Sequence, residues 1–174
     1  MGTVPAAGRG DCPHKRGADS IVTVRLLLAA SFFLTSPAFH ANGPIPPAYT
    51  CDGRNTSPPL VWTAPPRGTR SLALQVYDAD AHFTHWLAWG ISPGARKLRA
   101  AQKPPLQGRN DFSRLGYSGP CPPKKGKPHH YLFTLFALAR APSPKGSNAT
   151  AFNAALTKAH ILATSTLTGT YRRR

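Results

Sequence analysis

Apolar residues in the middle of this chain recur with a period of two. In Ser71-Leu72-Ala73-Leu74-Gln75-Val76-Tyr77, the residues Leu72, Leu74 and Val76 share one face, because successive strand side chains point to opposite sides of a sheet. A second run, His85-Trp86-Leu87-Ala88-Trp89-Gly90-Ile91, places His85 on the face of Leu87, Trp89 and Ile91 by the same rule. A third, Tyr131-Leu132-Phe133-Thr134-Leu135-Phe136-Ala137-Leu138, is apolar on both faces, as in a central strand. One segment switches to helical spacing. Phe152, Ala155, Leu156, Ala159 and Ile161-Leu162, behind Asn148 or Thr150 as N-cap, predict a helix from about Asn148 to Thr164. The β-prone run Ser165–Tyr171 predicts a last strand.

Composition agrees with a strand-and-turn protein. Of 174 residues, 41% are hydrophobic, enough for one ordinary core, while 19 prolines and 15 glycines favour many turns over long helices. No internal repeat and no apolar run long enough to span a membrane is present. The net charge of +16 owes as much to scarce acids as to added bases: there are six acidic residues, all aspartate. The densest basic runs are Lys124-Lys125 with Lys127, and Arg172–Arg174. No recognition helix, aromatic platform or zinc-finger spacing accompanies them, so specific nucleic-acid binding is not expected. Weak, salt-sensitive association with anionic membranes or polyanions is the better match.

Polar side chains cluster where the apolar rows stop. Asp78 and Asp80 continue the parity of Leu72, Leu74 and Val76; His85 opens the second strand; His129 shares parity with Tyr131. A strand-end aspartate is commonly a turn cap and a lone histidine commonly structural. Coincidence at three strand ends nevertheless points to a site in which carboxylate, imidazoles and phenol converge on one rim.

Around these residues lie further motifs in order. They are Ser36-Pro37-Ala38-Phe39, Thr50-Cys51-Asp52-Gly53 with Ser57-Pro58-Pro59-Leu60-Val61-Trp62, Asp78-Ala79-Asp80-Ala81 with Phe83-Thr84-His85-Trp86, Gly108-Arg109-Asn110-Asp111-Phe112 with Gly116–Pro123, and Pro128-His129-His130-Tyr131. Together they resemble the phosphatidylethanolamine-binding proteins, in their bacterial Raf-kinase-inhibitor-like branch, from about Ser31 onward. The resemblance implies an all-β antiparallel sandwich with one C-terminal helix, short helical turns and a small anion pocket at one edge. It implies that Asp78, His85, His129 and Tyr131 line that pocket, with Gly119-Pro120 as its wall. Asp80, Asp52 and Asp111 are expected to be structural supports. Two departures stand out. The family's Asp-Pro-Asp-Ala-Pro loop lacks both prolines here and is shorter before His85, which predicts a less preorganised loop. His130 replaces the family's arginine, and His82 has no assignable role.

The function expected is a binding protein, not an enzyme, for a phosphate-bearing headgroup or similar small anion, with Raf-kinase-inhibitor-like regulation of protein partners as an extension. In that reading His85 and His129 donate hydrogen bonds and Asp78 orients an imidazole. Two alternatives occupy the same place. One is a metal site built from Asp78, Asp80, His82 and His85. The other is an Asp–His hydrolase, although no Gly-x-Ser-x-Gly elbow is present and Ser118 lacks a base. No cofactor is implied and a homodimer is left open. Cys51 and Cys121 can bond only if their Cα atoms approach within about 7 Å. Residues 1–30 fall outside the resemblance. Ile21–Ala30 behind Lys15-Arg16 has a signal-peptide outline, but Arg25 splits its apolar run. A poorly ordered extension, or a start assigned too far upstream, is therefore expected before a domain spanning 31–174. The placement expected is cytoplasmic, with periplasmic or secreted as the alternative.

Overall fold

The computed structural model describes residues 1–3 and 31–174; the expectation of a poorly ordered extension over 1–30 falls, for 4–30, outside the described residues. The strands are β1 (Leu34–Thr35), β2 (Leu60–Trp62), β3 (Ser71–Asp78), β4 (Phe83–Ile91), β5 (Lys97–Leu98), β6 (Leu106–Gln107), β7 (His129–Leu138) and β8 (Ile161–Tyr171), with helix α1 (Ala149–Ala159) before β8 and a 3-10 turn at Pro47–Tyr49. They form a three-stranded sheet, β1-β2-β5, and a five-stranded sheet, β6-β4-β3-β7-β8, with antiparallel pairing throughout.

The two sheets close on one core. Leu72, Leu74 and Val76 of β3 and Phe133, Leu135 and Ala137 of β7 meet Leu34, Leu60, Trp62 and Leu98 of the smaller sheet. Complete burial of each large side chain contributes about 1.5–3 kcal/mol of transfer free energy, so this interlayer holds the sandwich together. The opposite face of the large sheet is covered by α1, through Phe152, Leu156 and Ala159 against Ala73, Leu87 and Leu138. β7 therefore buries its sandwich face through Tyr131, Phe133, Leu135 and Ala137, while its other face is buried only at Leu138 and half-buried at Leu132, Thr134 and Phe136, less than its unbroken apolar run predicts.

Helix α1 starts as expected: the Asn148 side chain accepts a hydrogen bond from the Ala151 amide at 3.0 Å. It ends earlier than the spacing predicts. His160 adopts φ 62°, its carbonyl accepts from Ala139, and Ile161 already pairs with Leu138 of β7. Ile161 and Leu162 are 43% and 39% exposed on β8 and are not part of the apolar face of α1. A long ladder with β7 outcompetes one more helical turn, since each ladder position satisfies the backbone while the extra turn would bury little.

Two β-bulges in β4 also overturn the simple alternation. β4 carries an extra residue between the pairs Val76–Trp86 and Tyr77–Thr84, and another between Leu72–Ile91 and Leu74–Ala88. The first extra residue is His85. The second interval contains Gly90 at φ 71°, a left-handed conformation that glycine adopts without a Cβ penalty. His85 consequently leaves the face of Leu87 and Trp89 and lies beside Tyr131 on the sandwich side, the side of Trp86 and Ile91.

Candidate functional site

The site lies where β3 ends, β4 begins and β7 begins. Asp78 pairs with Phe83 of β4 and with Tyr131 of β7. Asp78 is 2% exposed, and both of its carboxylate oxygens accept hydrogen bonds. Oδ1 accepts from the amides of Asp80 and Ala81 at 3.0 Å each, closing the turn to β4, and Oδ2 accepts from His129 Nδ1 at 2.8 Å. These amides do the work expected of the missing prolines. Ala79, where the resembled motif has proline, keeps an N–H that donates to the His130 carbonyl at 3.0 Å and extends the β3–β7 ladder by one bond.

His129 therefore carries its proton on Nδ1 and turns Nε2 away from Asp78. His85 is fixed the same way by a different acceptor: its Nδ1–H donates to the Ser118 carbonyl at 2.8 Å. His85 is 2% exposed, and burial pushes its pKa below the ordinary histidine value, against the opposing pull of Ser118 and Asp78. The ring is thus neutral near pH 7, and its unprotonated Nε2 is an acceptor. This corrects the expectation that both imidazoles donate. Neither Nε2 has a hydrogen-bond partner among the described residues.

A cleft of about 140 Å³ opens over these rings, bordered by Asp78, Phe83, His85, Phe112, Pro122 and His129. Phe112 packs edge-on to both His85 and Phe83, with ring centroids 5.4 and 4.6 Å away, and makes one wall. Tyr131 is not on the surface of the cleft. It is wholly buried beneath it, 5.2 Å from the His85 ring and 6.5 Å from the His129 ring, and its hydroxyl has no hydrogen-bond partner. Burial, followed by the charge of Asp78, raises its pKa far above that of an ordinary phenol, so it remains protonated.

The wall is likewise shifted from expectation. Cys121, Pro122 and Pro123 border the cleft, whereas Gly119 and Pro120 stand behind them. Gly119 is there for close approach: a Cβ would strike the Tyr49 carbonyl and the Thr50 backbone, and its amide donates to Asn55 at 2.6 Å. The Pro120 carbonyl accepts from the Cys51 amide at 3.0 Å. Cys51 and Cys121 are disulfide-bonded, with Cα atoms 5.3 Å apart.

The supporting aspartates hold loops. Asp111 accepts from the Thr84 amide at 2.6 Å. Asp80 accepts from the His130 amide and ring at 2.6 and 3.0 Å, and the backbone bond chiefly lowers its pKa. His130 thus faces Asp80, not the cleft. Asp52 takes the Tyr171 hydroxyl at 2.7 Å and the Arg173 guanidinium at 2.9 Å, which hold its carboxyl below the usual range. One support escaped the sequence reading. Asn110, 3% exposed, donates to the carbonyls of His85 and Gly116 and to Ser118 Oγ, and accepts from the amides of Phe112 and Arg114. It fixes the loop that carries both Phe112 and Ser118. Its position between Arg109 and Asp111 in a Gly-rich turn was the available signal.

The ligand types expected to surround a metal do not converge. His82 is hydrogen-bonded to the Tyr77 hydroxyl at 3.1 Å, and His85 is committed to Ser118. The set that lies together is Asp78, Asp80 and His129, with one donor atom of each within 4.8 Å of the others. Its Asp78 and Asp80 oxygens already accept N–H bonds, which a cation would have to displace.

Residues 35–172 match the family model for phosphatidylethanolamine-binding protein. The chain belongs to that family. It is 40% identical over 152 residues to a UPF0098 protein of Methanothermobacter thermautotrophicus, a match covering 80% of this chain and 98% of the relative. It is 39% identical over 137 residues to UPF0098 protein YbcL of Escherichia coli, covering 71% and 75%. The crystal structure of E. coli YbcL superposes with a TM-score of 0.75 at 32% identity, over 83% of this chain and all (100%) of that one. The phosphatidylethanolamine-binding protein homolog CT736 from Chlamydia trachomatis gives the same TM-score of 0.75 at 34% identity, over 83% and 99%. Membership of the phosphatidylethanolamine-binding protein family supports a ligand-binding protein of that type, and the antiparallel sandwich is the family fold.

Proposed function

We propose that the cleft binds one small monoanionic phosphate group, such as that of a phosphoethanolamine-like headgroup, and that the chain is a binding protein. The observation that carries this reading is the pair of imidazoles, each locked through Nδ1 and each presenting a free Nε2 to the same small cleft. When protonated, His129 donates through Nε2 while Asp78 balances its charge. Neutral His85 accepts, which matches a phosphate oxygen that still bears a proton. A phosphomonoester that keeps its second proton (second pKa about 6) offers both partners; a diester or a fully deprotonated dianion offers no proton to His85, and the dianion meets no lysine or arginine among the described residues of the cleft lining. The volume, roughly that of four or five waters in the liquid, suits a headgroup rather than an acyl chain.

Catalysis has less support. Cys121, the lining residue closest in type to a nucleophile, is tied up in the disulfide. The disulfide also favours an oxidising compartment, so we place the protein outside the cytoplasm, the alternative to the expected site.

The test is an NMR titration with phosphoethanolamine, with and without a chelator, beside an ester-turnover assay. A charge-assisted hydrogen bond contributes about 1.5–3 kcal/mol, so His129→Ala is expected to weaken binding roughly tenfold or more with the fold intact. Identical titrations of wild type and variant would sink the assignment. Binding abolished by the chelator would move the reading to a metal at Asp78, Asp80 and His129, and turnover would move it to a hydrolase.

A further inference from the structure

The two densest basic runs, far apart in sequence, meet in space. The Lys125 amide donates to the Arg173 carbonyl at 3.2 Å, and Lys124, Arg172 and Arg174 border one open groove of about 1070 Å³. Asp52 also lines this groove, but its carboxylate is saturated by Tyr171 and Arg173. Among the described residues no carboxylate pairs with Lys124, Arg172 or Arg174. Three exposed cations therefore rim a concave surface; Lys124 feels the charge of Asp52, but none of the three makes an ion pair among the described residues.

Apart from Thr170, the rest of the groove is apolar: Pro44, Ile45, Pro47, Pro128 and the ring of Tyr171. The β8 edge beneath is already paired, since the Ile45 amide donates to the Thr170 carbonyl and the Thr170 amide to the Gly43 carbonyl at 2.7 and 2.8 Å. A partner therefore cannot enter by adding a strand, and recognition must run through side chains. From this geometry we infer that the groove docks an extended acidic peptide in which carboxylates alternate with apolar residues. The carboxylates reach Lys124, Arg172 and Arg174, and the apolar side chains rest on the prolines. The alternatives fit the groove less well. A bilayer surface is too flat to enter a concavity. A nucleic acid would seek a face on which to stack, whereas the Tyr171 ring is half-buried with its hydroxyl fixed to Asp52. The groove is distinct from the phosphate cleft, although Pro122-Pro123-Lys124 runs from one to the other. The inference does not rest on the reading of that cleft.

The experiment measures fluorescence anisotropy of a short labelled peptide alternating glutamate with leucine. It uses wild-type protein, the groove variant Lys124→Glu/Arg172→Glu/Arg174→Glu, and a control that removes equal charge elsewhere, Arg67→Glu/Arg70→Glu/Lys158→Glu, all exposed positions. The groove variant is expected to lose roughly tenfold or more in affinity and the control about twofold or less, with binding falling as salt rises. Alanine replacements at the three groove positions, which remove attraction without reversing it, should lose a smaller factor in the same order. Equal losses in groove and control variants would mean that only the overall field of a +16 chain is being read, and would overturn the proposal. Tighter groove-dependent binding of polyphosphate or of vesicles containing phosphatidylglycerol than of the peptide would overturn it equally.

Discussion

The β3–β7 ladder has two ends that begin from the same materials and finish differently. Each end buries one hydroxyl without a hydrogen-bond partner, Ser71 Oγ at one and Tyr131 OH at the other. At the first end Ser71 pairs with Leu138, which packs under α1, and the adjacent rung is Leu72–Ala137. At the second end Tyr131 pairs with Asp78, and two imidazoles flank its ring. An orphaned hydroxyl alone therefore does not mark a site. What distinguishes the second end is that its neighbours are ionisable, held by one atom each, and left with a free atom facing a cleft. A closed end converts buried area into stability. An open end retains polar atoms that are free to meet water or a ligand.

The largest expected effect belongs to the closed end. Leu72 is completely buried, and Leu72→Ala should cost about 2–5 kcal/mol in urea unfolding. Affinity of the folded protein for phosphoethanolamine should stay unchanged. A variant that folds normally but binds more weakly would show that the two ends are coupled. The Cys51–Cys121 bond should rank close behind. It closes a separation of 70 residues, and its reduction should cost about 2–4 kcal/mol, read as a lower urea midpoint in reductant. Because Cys121 borders the cleft, reduction should also weaken binding, which Leu72→Ala should not.

Next comes the carboxylate of the open end. In Asp78→Asn the carbonyl can still cap the turn, but the acceptor that holds His129 Nδ1–H is replaced by an amide donor, and the ring loses its orientation. Stability should fall by about 1–3 kcal/mol. Phosphoethanolamine should bind more weakly, because the ring that faces the ligand is no longer oriented by Asp78. Unchanged binding alongside lost stability would make Asp78 a turn cap and nothing more.

The same contrast explains how much could be read before the fold was seen. Alternation at 71–77 and the apolar run at 131–138 identify the paired strands at the centre of the large sheet. Asn148 and the spacing of Phe152, Ala155 and Leu156 identify α1. These signals are strong because burial repeats along the element. The motif residues Asp78, His85 and His129 were legible by resemblance, and the structure does bring them to one cleft. Single-residue events were not legible. A bulge at His85 reverses facing without changing the apolar pattern, since one inserted residue alters parity only locally. Phe112 and Cys121–Pro123 reach the cleft from irregular loops, whose course depends on Asn110 and the disulfide rather than on any period. Gly119 was expected in the pocket wall, but its close contact is with Tyr49 and Thr50 behind that wall.

A smaller effect concerns pH. Burial lowers the pKa of His85, so the unfolded chain, at about the ordinary value of 6.5, takes up the proton first as pH falls. Stability contributed by this group is therefore level above that value and declines from there toward the lowered native pKa. His85→Gln should flatten that part of the profile, measured by urea midpoints across the range. Asp80, whose pKa is lowered from 3.8, adds a decline only at more acidic pH and so can be separated. A wild-type profile that stays level from the ordinary histidine value all the way down to the aspartate range would contradict a buried, neutral His85.

The smallest stability effect gives the sharpest comparison. Ser71→Ala and Tyr131→Phe each remove a buried hydroxyl that has no partner. Deleting such a group forfeits no hydrogen bond and relieves a desolvation cost, so both variants should match wild type or gain up to about 1 kcal/mol. Stability cannot then tell the two ends apart, but binding can. Tyr131 underlies the two imidazoles and stays protonated, so its hydroxyl is a buried donor that reaches a ligand only through a bridging water. Tyr131→Phe should therefore weaken phosphoethanolamine binding several-fold, by roughly 1 kcal/mol, while Ser71→Ala leaves it unchanged. Isothermal titration on both variants decides the matter. If Tyr131→Phe binds as well as wild type, the phenol is packing beneath the cleft and the donor set reduces to His129. If both variants weaken binding equally, the effect travels through the ladder, and the division between a closed and an open end is wrong.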